Sequence, residues 1–461
     1  MRASSWYQII GSSILISIAC IDPGNLLGDI QVAQKMLYKS IWVITMSHIL
    51  LYFFQELAFV VSCKSENDLG ELIKLNYPRS MKLFLWLSSE LAIISADIQE
   101  ILGATIALRL LTGLSDWIGI PVIIVLAIAI LFLQEIGQRA LEFGFLVMVA
   151  VLGICFFINF IMSSPEWLKV ADGFIPSIPN SWEFTAVIGA VIMPQNIFLH
   201  SSLVQTKFHI ERDKKYFIKI FRTETVVILI ISCIINISLT ALFSKPEYSE
   251  KDISLENVHI YLKKFLPQVS FYFWAFGLLS SGLSSTTSGA LTGQYIMNGI
   301  FDFKFSRTKR ILITRLITLL PCYLIILWTD VNKIMNILNI VQFVQLPFVI
   351  IPLIKFANNK KIMNDEPYSQ RKLGFIVLCA SFLQLINVYS IIQVMEEFSP
   401  LAKGMVILFL VSQFGIIFFL AFARLEEQSK SYCKKIKSVD DFDPTSPILR
   451  TNLGKKKSII Q

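Results

Sequence analysis

Two four-residue stretches hold the side chains best suited to chemistry in this sequence. Asp22-Pro23-Gly24-Asn25 and Met193-Pro194-Gln195-Asn196 each interrupt a long apolar run. In both, proline removes a helical N–H, and small or polar residues stand beside it. Inside a bilayer, bare backbone is tolerated only where protein buries it or where it lines a cavity, so two such breaks predict a polar site between them. Corresponding interruptions in the two halves of a chain are the best sequence pointer to a transporter's binding site. A plain proline kink is a common event in membrane helices, but the acid inside the first break argues against it here. Asp29 and His200 each lie one turn beyond the Asn of their break, so both broken runs carry titratable groups at matching offsets. A lone membrane histidine also serves as an ordinary hydrogen-bonding packing residue.

A second constellation sits in the third apolar run. Glu90, Asp97 and Glu100 lie seven and three residues apart, on one side of a helix. Acids in a span are costly and normally face the bundle interior, so a row of them reads as a proton or ion path. The plainer reading is that such acids cap helix ends or pair with an arginine. Arg315 is the one basic residue deep in an apolar run, and a buried Arg needs acidic partners; Asp97 and Glu100 are the candidates. Gln55 and Glu56, near the end of the second run, read as snorkelling groups. The small hydroxyl-rich run Ser280-Ser281-Gly282-Leu283-Ser284-Ser285-Thr286-Thr287-Ser288-Gly289 suits close helix packing or a polar lining. The seven Cys and four His show no zinc spacing, and no His-Glu-x-x-His, paired Asp or Ser/Lys nucleophile arrangement appears in the spans, so an enzyme is not expected.

The elements that must position these groups are membrane helices. The 461 residues are 54% hydrophobic, with a mean hydropathy of +0.64, which marks an all-α polytopic membrane protein. Twelve segments are long enough to cross, roughly 8–32, 38–61, 83–112, 119–135, 141–163, 184–206, 221–243, 269–299, 309–328, 333–355, 373–394 and 402–423. The chain divides into a cytoplasmic N-terminus 1–7, spans one to five over 8–163, an exterior loop 164–183, spans six to ten over 184–355, two peripheral spans over 373–423 and a basic tail 424–461. The first run carries the break and further acid, and is expected to stay as a span rather than a cleaved signal. With the N-terminus in the cytoplasm, 30 of the 41 Lys and Arg fall on that side and 10 on the other, Arg315 lying within a span. Positive-inside counting therefore places both termini in the cytoplasm. Topology accounts for the net charge of +8, and no nucleic-acid partner is needed.

At this point five collinear motifs match a known family. Asp-Pro-Gly-Asn in the first span, Glu-Leu-Ala-Ile-Ile-x-x-Asp-x-Gln-Glu in the third and Met-Pro-Gln-Asn-Ile-Phe-Leu-His in the sixth are joined by the Ser-Gly-Leu-Ser-Ser-Thr-Thr-Ser-Gly run with Gly293-Gln294 and by Gln-Leu-Pro-Phe in the tenth. Over about residues 15–350 the chain resembles the natural resistance-associated macrophage proteins. The resemblance implies a LeuT-like fold, with spans one to five and six to ten as inverted repeats and two added C-terminal spans. It also implies proton-linked movement of divalent transition metals, with metal ligands at Asp22, Asn25, Met193 and the Ala190 carbonyl, and Asn339 where the family usually has Gln. Asp97, Glu100 and Arg315 match the family's proton-path positions, to which the residue pattern adds Glu90 and His200. No resident cofactor is implied: the metal is cargo and the proton the coupling ion.

The donor types agree on the ion. A carboxylate, an amide oxygen and carbonyls alone suit Mg²⁺ or Ca²⁺; the Met193 thioether tilts the set towards Mn²⁺, Fe²⁺ and later transition ions. Two positions depart from the family pattern. Gln195 replaces a His and cannot take up a proton, and Leu283 interrupts the usual Gly-Gln-Ser-Ser. The expected function is thus a carrier of Mn²⁺ or Fe²⁺ towards the cytoplasm with proton co-transport, on the plasma membrane or an acidic endosomal or vacuolar membrane. The alternatives are an uncoupled metal uniporter, a LeuT-like carrier of an organic substrate, and a non-transporting metal receptor or scaffold.

Overall fold

The computed structural model describes residues 21–136, 138–177, 183–207, 213–245, 253–301, 307–328, 331–395, 400–422 and 425. The start of the expected first span and the basic tail lie outside the described residues. Among the described residues the secondary structure is helical throughout. In chain order the helices are α1 (Pro23–Met36), α2 (Ile41–Ser65), α3 (Leu69–Asn76), α4 (Arg79–Thr112), α5 (Asp116–Ile136), α6 (Gln138–Met162), α7 (Trp167–Asp172) and α8 (Glu183–Val191). They continue with α9 (Pro194–Lys207), α10 (Lys214–Phe243), α11 (Val258–Phe265), α12 (Val269–Ile300), α13 (Arg307–Trp328), α14 (Val331–Asn358), α15 (Gln370–Met395) and α16 (Pro400–Phe422).

Six stretches among the described residues are long and apolar enough to cross a membrane: Pro23–Ser65, Arg79–Thr112, Glu183–Lys207, Lys214–Phe243, Lys333–Asn358 and Gln370–Gln393. Asp116–Leu131, Leu146–Met162, Ile317–Leu327 and Val406–Phe422 are shorter apolar helices. The result is an all-α polytopic membrane protein. Burial separates inner helices from outer ones: the apolar windows of Glu183–Lys207 and α4 are 100% and 89% buried, whereas that of α15 is 33% buried. Helix α4 is therefore central, packed along its length on α12 and also on α14. On α15 and α16, Leu378, Leu385, Leu408 and Phe418 are exposed apolar side chains, the pattern of an outer layer whose solvent is lipid.

The prolines of the two breaks start helices rather than bend them. Pro23 is the first residue of α1 and Pro194 the first of α9, where the missing N–H is one that no helix would have used. Pro23 also decides how close α1 comes to α4. A Cβ on Gly103 would lie 2.2 Å from the Pro23 Cβ, so only glycine admits this approach. Gly103→Ala is expected to push the start of α1 off α4 at a cost of about 1–3 kcal/mol, read as a lowered unfolding midpoint of the purified protein in detergent.

Glu56 does not snorkel. It is fully buried, and the long cations come to it instead: Arg222 of α10 at 2.6 Å and Lys372 of α15 at 3.0 Å, with the Tyr368 hydroxyl donating at 3.1 Å. Arg222 and Lys372 remain partly exposed, so their stems reach in while part of each stays outside. The acid thereby ties α2 to α10 and to the peripheral α15.

Helix α3 begins at Asp68, as its Asn-Asp start predicts. Asp68 accepts from the Glu71 N–H at 2.9 Å and Glu71 accepts from the Asp68 N–H at 2.9 Å, a complete capping box. The Ser202 hydroxyl donates to the other Asp68 oxygen at 3.2 Å, joining α3 to α9. Burial, with the Glu71 carboxylate beside it, raises the Asp68 carboxyl to about 7. An acid whose pKa rises on folding binds more protons folded than unfolded, so its contribution falls as pH climbs from near 4 to about 7. Asp68→Asn keeps a good cap without the charge. It is expected to raise the unfolding midpoint at pH above 7 by roughly 2 °C or more and to flatten the pH dependence below that.

Candidate cation site

The first break is built by capping. Asp22 has extended backbone (φ −84°, ψ 168°) and its Oδ1 accepts from the Asn25 N–H at 2.7 Å, making it the N-cap of α1. The Asn25 side-chain amide donates to the same Oδ1 at 2.8 Å and to the Ala190 carbonyl at 3.0 Å, crossing from the first break to the end of α8. In the second break, Ile192 and Met193 separate α8 from α9. Hydrogen bonds thus bring Asp22, Asn25 and Ala190 together, and Met193 follows three residues after Ala190; each is 1% exposed or less.

The electrostatics of that place favour a cation. The Asp22 carboxylate is held by the N-terminus of α1, whose dipole steadies an anion. The Ala190 carbonyl belongs to the C-terminal end of α8, the end that attracts positive charge. Asp22 Oδ2 and Asn25 Oδ1 are buried without a hydrogen-bond partner among the described residues, and a buried oxygen left in that state is costly. A bound cation would satisfy both. No group of three or more His, Cys, Asp or Glu gathers among the described residues, so Asp22 is the one ionisable side chain of this set.

Asn339 stands one step away. Its amide donates to the Gly24 carbonyl at 3.3 Å, and its oxygen accepts from Gln99 at 2.8 Å. Gly24 permits this, since a Cβ there would lie 2.8 Å from Gln99 Nε2 and 3.0 Å from Asn339 Oδ1.

The acids of α4 divide by face. Gln99 and Gly103, one turn apart, meet α1 and α14, while Asp97, Glu100 and Ala104 meet α12. Asp97 pairs with Arg315 at 3.0 Å, both 2% exposed. Arg315 also donates to the Thr286 hydroxyl at 2.9 Å and to the Thr286 carbonyl, which places α12 inside the pair. Glu100 lies beside it, buried, with Oε2 unpartnered among the described residues. The hydroxyl-rich run of α12 therefore serves both readings. Gly282 packs against Ala104 and the Glu100 carbonyl, Ser281 donates to the Ile21 carbonyl at the break, and Thr286 binds the arginine. Glu90 is apart from this cluster; it is half-buried and accepts from the Trp86 indole at 3.0 Å. His200 lies between the rings of Phe59 and Phe221, on the α2 and α10 side. Neither of its ring nitrogens has a hydrogen-bond partner among the described residues.

A family model described as natural resistance-associated macrophage protein-like matches residues 13–393. The chain belongs to the Nramp family. Among its Nramp relatives are the metal transporter nramp1 homolog of Dictyostelium discoideum, 35% identical over 94% of this chain and 84% of that protein, and natural resistance-associated macrophage protein 1 of Gallus gallus, 32% identical over 87% and 79%. The Eremococcus coleocola manganese transporter in complex with an aromatic bis-isothiourea substituted compound superposes with a TM-score of 0.80 at 25% identity, covering 89% of this chain and 92% of that one. MhsT in complex with L-phenylalanine superposes at 0.56 with 14% identity over 83% and 98%, a likeness of fold alone. The Nramp chain is a transporter-family protein, not an enzyme.

Three side chains at this Nramp site had no role in the residue-by-residue reading: Gln99, Gln342 and Thr286. Gln99 had a readable signal, a buried-run amide one turn before Gly103 on the face away from Asp97. Thr286 had none, because a hydroxyl in a hydroxyl-rich run is not marked until Arg315 is placed beside it.

Proposed function

We propose that this Nramp-family chain carries Mn²⁺ or Fe²⁺ across a membrane towards the cytoplasm with proton co-transport. In this reading the chain makes twelve crossings, with 8–163 and 184–355 as inverted repeats, 373–423 as two added spans and both termini cytoplasmic. Asp22, Asn25, the Ala190 carbonyl, Met193 and Asn339 hold the ion. One observation carries the proposal: two buried oxygens, Asp22 Oδ2 and Asn25 Oδ1, lack a partner among the described residues, where the Asn25 amide meets the helix-end Ala190 carbonyl. Carboxylate, amide and carbonyl oxygens with one sulfur suit a borderline divalent ion. Asp97, Glu100 and Arg315 hold and pass the proton, with Glu90 and His200 as further members of the path. A second reading, an uncoupled uniporter, is favoured by Gln195, whose amide cannot take up a proton where the family motif has a histidine.

The test is Mn²⁺ uptake into proteoliposomes at acidic and neutral external pH, with internal pH recorded, for the wild type and Met193→Ala. Mn²⁺ entry with internal acidification is expected, and greater Ca²⁺ or Mg²⁺ entry in the variant. Entry without acidification selects the uniporter, and no metal entry at either pH overturns the transport reading.

A further inference from the structure

Between the two breaks runs a continuous chain of buried side-chain amides. Gln195 Nε2 donates to Gln342 Oε1 at 2.9 Å, Gln342 Nε2 to Gln99 Oε1 at 2.6 Å, Gln99 Nε2 to Asn339 Oδ1 at 2.8 Å, and Asn339 Nδ2 to the Gly24 carbonyl at 3.3 Å. All four amides are 4% exposed or less. The polarity of the chain is over-determined by groups that can only accept. Gly24 O ends it, Met335 O takes Gln99 Nε2 at 2.6 Å, and the Met193 sulfur takes Gln195 Nε2 at 3.3 Å. Reversing any one amide would set oxygen against oxygen, or oxygen against sulfur.

The Gln195 end of this chain bears on the ion. Its N–H rests on the Met193 thioether, and its own Oε1 is buried without a partner among the described residues. An N–H on sulfur draws electron density from the lone pairs and makes the thioether a poorer donor to soft metals. The free Oε1 adds a hard oxygen beside it. We propose that Gln195, aimed by Gln342 and Gln99, is a specificity-determining residue that blunts the Met193 sulfur and biases the site from soft ions such as Cd²⁺ towards Mn²⁺. Gln342 and Gln99 are positioning residues: they act through Gln195. The inference rests on the metal-transport reading and adds a selectivity that the reading does not contain.

The experiment measures KM for Mn²⁺ and Cd²⁺ uptake by the full chain in proteoliposomes. The preference for Cd²⁺ over Mn²⁺ is expected to rise roughly tenfold in Gln195→Leu, the scale of change on removing an outer-shell partner of a metal ligand. A smaller rise is expected in Gln342→Leu, which keeps Gln195 but releases its aim. In a Met193→Ala background, Gln342→Leu is expected to leave the ratio unmoved, since no sulfur remains to be tuned; general loosening of the bundle would shift it in either background. If Gln342→Leu folds poorly, Gln99→Leu cuts the next link and is expected to move the ratio the same way. Calorimetric titration of the detergent-solubilised variants with each metal reads the same preference without transport. Unchanged ratios with Mn²⁺ entry intact overturn the selectivity role alone, as does a shift that survives Met193→Ala. No Mn²⁺ entry in the wild type overturns the transport reading and this role with it.

Discussion

Asp22→Ala is expected to abolish Mn²⁺ entry into proteoliposomes, and Asp22→Asn to do so almost as completely. The pair of substitutions separates two jobs that one side chain performs. Alanine removes both the cap of α1 and the charge, and a lost cap costs about 1 kcal/mol. Asparagine keeps an oxygen that can accept from the Asn25 N–H, now 2.7 Å from Asp22 Oδ1, so α1 keeps its start while the site loses its carboxylate. Two unit charges about 4 Å apart attract by about 4 kcal/mol at a protein-like dielectric, and a dication doubles this. A loss of more than about a hundredfold in entry, equivalent to about 2.8 kcal/mol, is therefore a conservative expectation for both variants. Near-normal entry in Asp22→Asn would leave Asp22 with the cap alone and remove it from the metal site.

Arg315→Met strips Asp97 of its partner in the middle of the bundle. Breaking a buried pair from one side costs about 3–5 kcal/mol, because the remaining charge stays where water cannot reach it. Asp97 is 3.0 Å from the guanidinium and 2% exposed, and Thr286 offers it a hydroxyl at 3.4 Å, a poor replacement. A large fall in the unfolding midpoint in detergent is expected. The double variant Asp97→Leu with Arg315→Met should recover most of it, since replacing both ends of a buried pair with apolar groups is near neutral. Recovered stability with Mn²⁺ entry that no longer acidifies the liposome is the outcome expected of a pair that serves proton movement; entry with unchanged acidification would make the pair a structural clasp.

Much of this arrangement was readable along the chain. Proline inside an apolar run, next to an acid or an amide, marks a helix that stops and restarts; helices begin at both prolines, and α8 ends just before the second. That Arg315 meets Asp97 or Glu100 followed from scarcity, because one deep cation must find an acid; packing selects Asp97. Helix class followed from composition, since hydrocarbon forces every backbone group to be satisfied within its own segment. The helix starts at the prolines, the need of Arg315 for a buried acid and the all-helical membrane fold therefore follow from local rules that need no knowledge of neighbours.

Tertiary structure decided the rest, because those properties depend on which faces meet. Glu56 read as a snorkelling acid near a helix end; α10 and α15 close over it and bring Arg222 and Lys372 to a buried carboxylate. Glu90 shares a helix side with Asp97 and Glu100 in the linear count, yet Asp97 and Glu100 meet α12 and Arg315 pairs with Asp97, while Glu90 accepts from Trp86. Gln99 and Gln342 stand 243 residues apart in sequence and 2.6 Å apart in space. A polar side chain in an apolar run announces that it needs a partner. Which partner it gets is set by helix rotation and by close approaches such as Pro23 on Gly103, and these exist only once the bundle has packed.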